Sequence, residues 1–320
     1  MKSKHKALAA LIVSVLCWGF SFISIKIAVS VFPPMTLGAI RFAIALVFLF
    51  FIKKKLAPGE KVRKEDLPYL IGAGLMGVTF YFLFENNGVL LIHASEASII
   101  IASIPVITMI AEAVREKIIS RTKPASSAAE GTSAGKPSFL NRIILPVTGA
   151  VISISGVALV AGISFAITGS AKGYMFMGCA CISWVCYCFC TRPLFDRHSR
   201  IFIVFWQSLI GFVGFLPFVV FEPSWQMPGM DVWAHVLFLG ILCSALSYWM
   251  YSLALRDLGV GISTIFINFI PVITAIGGYF VLGERLEPLQ WVGAVLVLGG
   301  VSLAMLAPSI QTKTNKNEFE

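Results

Sequence analysis

Ile104-Pro105-Val106-Ile107-Thr108 and Ile270-Pro271-Val272-Ile273-Thr274 are one pentapeptide carried twice, 166 residues apart, each time inside a long apolar run. The same interval sets Trp18 against Trp184, Lys26 against Arg192 and Arg41 against Gln207. A register shared from Trp18 through Thr108 means two copies of one unit rather than a chance motif match.

The unit belongs in a bilayer. Hydrophobic residues make up 58% of the 320 and charged residues 13%, with a mean hydropathy of +0.87; a soluble domain carries about a quarter charged residues. A membrane core needs about 20 apolar residues per helix at a rise of about 1.5 Å each. Ten stretches meet that need: 7–29, 35–52, 67–91, 97–114, 143–163, 174–191, 201–221, 232–255, 260–282 and 289–307. Lys2, Lys4 and Lys6 ahead of the first stretch look like a secretory leader. The apolar run is too long for one and no small-residue cleavage pattern closes it, so it reads as a retained first span.

The net charge of +9 follows topology, not nucleic-acid binding. With ten spans, the loops 1–6, 53–66, 115–142, 192–200, 256–259 and 308–320 share one face and hold 21 of the 25 Lys and Arg residues, against 2 in the five opposite loops. The positive-inside rule puts that face, and both termini, in the cytoplasm of a multi-pass plasma-membrane protein.

Five spans per half make the second half enter from the opposite side. The expected fold class is an all-α polytopic membrane protein of ten transmembrane helices arranged as two inverted five-helix repeats. The first repeat is 1–119 with 142–168, the second 169–307, and 308–320 is a cytoplasmic tail. Gly149-Ala150-Val151 with Gly156-Val157 matches Gly293-Ala294-Val295 with Gly300-Val301 at an interval of 144, so 22 residues of register are lost before the fifth span. They fall in 120–141, rich in Ser, Ala, Gly, Lys and Pro, a composition that predicts a disordered cytoplasmic loop. Glycines seven apart share a helix face and allow close packing of spans 5 and 10. That packing is open to a contact between two protomers, a homodimer, and these glycines are not site candidates.

Several motifs resemble one family. They are Trp18-Gly19 with Phe22 and Lys26, Arg41-Phe42 after Pro33-Pro34, the Ser/Ala-rich opening of span 4 before Ile104-Pro105, and Leu282-Gly283-Glu284-Arg285-Leu286 after Pro271. In order and duplicated, over about residues 7–307, the chain resembles the EamA-type transporters of the drug/metabolite transporter superfamily. The resemblance implies a central substrate cavity between two halves, alternating access, and export of amino acids, other small metabolites or toxic compounds. Two departures weaken the substrate inference: Arg115-Glu116-Lys117 replaces a clean Gly-Glu-Arg ending in the first half, and Trp184-Val185 stands where the first half has Trp18-Gly19.

Charges in hydrocarbon mark function because each costs about 2.5–3.5 kcal/mol when central. Lys26, Arg41 and Glu85 fall at similar depth, two cations to one carboxylate. In one reading Glu85 orients Arg41 or Lys26 and the spare cation receives an anionic substrate group. In the other, Lys26 snorkels to the headgroups and Arg41–Glu85 only ties helices together. Glu112 is either a protonatable coupling group or a partner for Arg115; Glu96 reads as a helix cap. Tyr81, Asn86, Asn87, Gln207, Tyr248, Tyr251 and Asn268 are neutral polar groups near mid-membrane that need partners or a cavity. Trp18 and Trp184 lie too deep for interfacial belts and read as opposed cavity walls. Pro105 and Pro271 each remove a helix donor and clash with the carbonyl of Ile101 or Ile267, which makes them paired hinges.

The expected substrate-binding set is therefore Trp18, Lys26, Arg41, Tyr81, Glu85, Asn86, Trp184, Gln207, Tyr248 and Asn268, with hinges at Pro105 and Pro271. No catalytic residue, metal ligand or cofactor is expected. An enzyme needs convergent His, Asp or Glu groups and a selective pore needs charged or carbonyl-lined rings. The partners are a small-molecule substrate and the lipid bilayer. A carrier of a nucleotide sugar or lipid-linked cargo is the alternative; a strongly basic cavity would mark it, and only Lys26 and Arg41 are available. The five cysteines from Cys179 to Cys190 point to both sides of span 6 and read as packing residues.

Overall fold

The computed structural model describes residues 2–108, 110–111, 114–115, 145–168, 170–258, 266–267 and 269–306. Among the described residues the chain is helical, with no strand. The segment 120–141, the tail 308–320, Glu112 and Asn268 lie outside them.

Helix α1 is Lys2–Ala28 and α2 is Pro34–Leu56. Helix α3 runs Lys64–Leu91, α4 runs Ala94–Thr108, α5 is Leu145–Thr168, α6 is Ala171–Thr191 and α7 is Arg200–Val219. Helix α8 joins Met230–Leu237, Phe238–Leu246 and Ser247–Leu258; α9 is Ile270–Leu282 and α10 is Pro288–Leu306. Six helical stretches, in α1, α2, α3, α6, α7 and α8, are long and apolar enough to cross a membrane. Four shorter apolar stretches lie in α4, α5, α9 and α10. Large apolar side chains such as Val47, Phe51, Ile182 and Val295 stand exposed on the helix exteriors, as lipid-facing surfaces require.

The 166-residue interval recurs in the backbone. Helices α2 and α7 open at Pro34 and Arg200, and α3 and α8 at Lys64 and Met230, both pairs 166 apart. Each of α3 and α8 contains a π-wound segment, Leu75–Phe80 and Phe238–Leu246, and normal winding resumes at Tyr81 and Ser247, again 166 apart.

Both copies of the pentapeptide start a helical piece rather than kink an unbroken one. In α4 the winding opens at Ala102–Ser103, where Ser103 N–H donates to Ile100 O at 3.0 Å and Ile107 N–H to Ser103 O at 3.2 Å. In α9 Phe269 N–H donates to Phe266 O at 3.1 Å and Ile273 N–H to Phe269 O at 3.0 Å. Pro105 and Pro271 thus sit in first turns, where a missing N–H costs no helix bond. Thr108 and Thr274 each bond back to the carbonyl four residues earlier, at 2.9 and 3.0 Å.

Packing joins α1 to α8, α2 to α7, α3 to α6, α4 to α9 and α5 to α10. The last pair uses the matched glycines. A Cβ on Gly156 would stand 2.6 Å from Gly293 O, and one on Gly300 2.6 Å from Gly149 O. These faces meet within one chain, so that contact is not available to a second protomer.

Candidate functional site

Loop carboxylates close helix N-termini from a distance. Glu222, after α7, accepts from Met35 N–H and Thr36 N–H, both at 2.7 Å, and from Thr36 Oγ1 at 2.8 Å. Glu60, after α2, accepts from Ser199 N–H at 3.2 Å, so α2 and α7 are capped by each other's trailing loops. Gly283, at φ +67°, turns the chain out of α9. Its neighbour Glu284 then accepts from Ala94 N–H at 2.7 Å, Ser95 N–H at 3.1 Å and Ser95 Oγ at 2.6 Å. Each cap supplies oxygens to N–H groups that the helix cannot satisfy itself.

Lys26 belongs to the same framework. Its Nζ donates to the carbonyls of Val89, Leu90 and Ile92 at 2.7, 3.2 and 2.7 Å, closing the C-terminus of α3. A cation there offsets the negative end of the helix dipole. Beside it, the buried Glu96 accepts from Tyr174 OH and Gln290 Nε2, both at 2.8 Å, and pairs with His93 Nδ1 at 3.3 Å. The expected cap is present, and it also links α4 to α6 and α10. The Glu96 hydrogen bond raises the His93 pKa above the ordinary imidazole value. At the start of α3, Asp66 is fully buried and accepts from Arg197 Nη1 at 2.6 Å and pairs with His198 Nε2 at 2.9 Å.

Between these two ends lies a different chemistry. Arg41 is 3% exposed; its Nε donates to Ser244 Oγ at 2.6 Å and its Cζ lies 4.3 Å from the centre of the Phe82 ring. Its Nη1 is buried with no hydrogen-bond partner. Glu85 accepts from Tyr81 OH at 2.8 Å and is close enough to Arg41 for the charges to interact, with no direct ion pair between them among the described residues. Gln207, the counterpart of Arg41 at the repeat interval, is also 3% exposed, and its Oε1 is equally unpartnered. Two matched positions therefore hold one unused donor and one unused acceptor, the exception among buried polar groups.

Aromatic side chains flank this layer. Trp18 packs on Tyr248 and Tyr251 at 5.5 and 5.1 Å, and its indole N–H donates to Cys243 O at 3.2 Å. Trp184 packs on Tyr81 and Tyr187 at 5.1 and 5.0 Å. Trp18, Trp184, Tyr187, Tyr248 and Tyr251 are all half-buried. Asn86 Nδ2 donates to Pro34 O at 2.8 Å, tying α3 to α2 while its Oδ1 is left unpartnered; Asn87 Nδ2 bonds Leu83 O within its own helix.

The structure thus brings Arg41, Glu85, Tyr81, Trp18, Trp184 and Tyr248 together, with Gln207 joined to them through Tyr187, and draws Lys26 away to a helix end. Sequence reasoning passed over Ser244 and Tyr187. Ser244 is a small hydroxyl in an apolar span; Tyr187 lies one turn past Trp184, a spacing that marks a shared face.

Residues 5–123 and 171–306 match the model of the EamA-like transporter family. A protein of Streptantibioticus cattleyicolor described as "Probable terminal-alkyne amino-acid exporter" is 25% identical, covering 93% of this chain and 93% of its own. An Escherichia coli K12 protein described as "Probable amino-acid metabolite efflux pump" is 25% identical over 94% of each chain. A solved crystal structure shares the fold at a TM-score of 0.60, with 19% identity, over 96% of this chain and 100% of the other. This multi-pass membrane chain belongs to the EamA-like transporter family.

Proposed function

We propose that the protein exports a small polar metabolite, an amino acid or a related compound, across the cytoplasmic membrane by alternating access. In this reading ten crossings form two inverted five-helix repeats, 1–119 with 142–168 and 169–307, and both termini are cytoplasmic. The pairing pattern supports it: exchanging the halves turns the α1–α8 contact into α6–α3 and returns α2–α7, α4–α9 and α5–α10 to themselves. An upside-down twin has that symmetry. Two relatives carry a cargo in their descriptions, "Probable terminal-alkyne amino-acid exporter" and "Probable amino-acid metabolite efflux pump", which supports the cargo class.

The observation that carries the proposal is the unused Nη1 of Arg41 and the unused Oε1 of Gln207. A substrate carboxylate accepts from Arg41, held in place through Ser244. A substrate ammonium or hydroxyl donates to Gln207, and Glu85, held by Tyr81, supplies the compensating negative charge. Trp18, Trp184 and Tyr248 enclose the apolar part, and the unpartnered Oδ1 of Asn86 completes the polar lining. Lys26 is left out of the binding set because its ammonium serves three carbonyls of α3. The openings before Pro105 and Pro271 act as hinges for the change of access.

The test is untargeted metabolite profiling of medium and cytosol from deletion cells carrying wild type or Arg41→Ala. A compound enriched in the medium by wild type alone is the expected result. Equal export by Arg41→Ala overturns the site, and no compound moved by either overturns export.

A further inference from the structure

A second feature lies on the outer surface of the α2–α7 pair. Leu46, Val47, Phe50 and Phe51 of α2 and Phe205 and Leu209 of α7 line an apolar groove of about 440 Å³. The two helices that form the groove are tied to each other. Glu222 and Glu60 cap the two helices reciprocally, and the Phe215 ring fills the place a Gly38 Cβ would take.

The groove runs into a cluster of positive charge. The last turn of α2 carries Lys53, Lys54 and Lys55. Lys54 follows Val47 by two helical turns, so it continues the face that Val47, Phe50 and Phe51 present to the groove. Lys53 Nζ lies over the rings of Phe202 and Phe205, 5.6 and 5.4 Å from their centres. Lys54 and Lys55 are exposed. Among the described residues, the carboxylates at this end are engaged elsewhere: Glu60 with Ser199 and His198, Glu65 with Arg63, Asp66 with Arg197 and His198, and Asp196 lies near enough to Arg200 for their charges to interact. Among the described residues none pairs with Lys54 or Lys55.

We propose that this groove is a binding site for an anionic glycerophospholipid, with an acyl chain along Val47, Phe50 and Phe205 and the phosphate headgroup on Lys54 and Lys55. A hydrocarbon slot leading to uncompensated ammonium groups at a helix end matches a lipid in both parts. A second copy of the chain is the poorer occupant. A twofold contact through this face brings the Lys54 and Lys55 of two copies to the same end of one interface, whereas a phosphate neutralises them. The inference does not rest on the transport reading.

Native mass spectrometry of the full-length protein in detergent tests it, with phosphatidylglycerol or phosphatidylcholine of identical chains added in turn. Wild type retains one phosphatidylglycerol in preference to phosphatidylcholine. Lys54→Gln with Lys55→Gln, on the surface and outside the fold's packing, reduces that preference about fivefold per lysine removed. Val47→Trp fills the groove and lowers retention of both lipids. Unchanged preference in the lysine variant, unchanged retention in Val47→Trp, or a disulfide between two copies of Val47→Cys in the membrane each overturns the assignment.

Discussion

Arg41 Nε donates to Ser244 Oγ at 2.6 Å, a bond that reaches from the first half of the chain to the second across 203 residues. It fixes one edge of the guanidinium and leaves Nη1 directed at no protein group. The arrangement resembles a held tool more than a structural tie.

Ser244→Ala removes the anchor and leaves a further buried N–H unpaired, at a cost of about 1–3 kcal/mol. The initial export rate of whatever cargo metabolite profiling identifies is expected to fall about tenfold or more. Arg41→Lys keeps the charge but not the fork, and is expected to fail similarly. Export at the wild-type rate in both variants places the guanidinium outside the transport path.

Gly156→Ala drives a Cβ to within 2.6 Å of Gly293 O, a backbone atom that cannot swing aside. Overpacking of this kind costs about 1–3 kcal/mol, read as a lowered thermal unfolding temperature in detergent. Gly299→Ala, on α10 with open space around its Cβ, is expected to be neutral or slightly stabilising.

His93 gives the fold a pH dependence of known sign. Its hydrogen bond to Glu96 raises the folded pKa above the unfolded value of about 6.5. The stabilisation is complete below that value and fades as pH rises through the raised one. Wild-type thermal stability relative to His93→Gln is therefore expected to be largest near about pH 5.5 and to shrink toward about pH 8.5. A difference that grows with pH contradicts the assignment.

Asp66→Asn removes the charge that Arg197 and His198 face and turns one of the two accepting oxygens of a fully buried side chain into a donor. About 2 kcal/mol of stability is expected to be lost. A double-mutant cycle with His198→Ala is expected to show coupling, since the two side chains share that bond.

Hydropathy and repetition made most of the helical framework legible in the sequence, because a bilayer fixes the length and polarity of what spans it. The interval read from the two pentapeptides reappears in the starts of α2 and α7 and in the π windings of α3 and α8. It also singled out Gln207 as the partner position of Arg41. Other features left no periodic trace. Lys26 answers to carbonyls, which every residue has, so nothing in its neighbours' identities announced that it would cap α3. Glu222 and Glu60 are single carboxylates in loops whose targets lie far off along the chain. The prolines read as kinks because residue identity alone does not say whether a helix continues through a proline or begins there.

The Glu222 contact with Met35 carries a consequence for biosynthesis. The two residues are 187 positions apart, so at about 5–20 residues per second the carboxylate leaves the ribosome roughly 10 to 40 s after the backbone group it serves. Through that interval the first turn of α2 relies on water or lipid headgroups for its N–H bonds. A nascent chain arrested before Glu222 should therefore be unusually open to proteolysis at the start of α2, and that vulnerability should vanish once the loop after α7 has emerged.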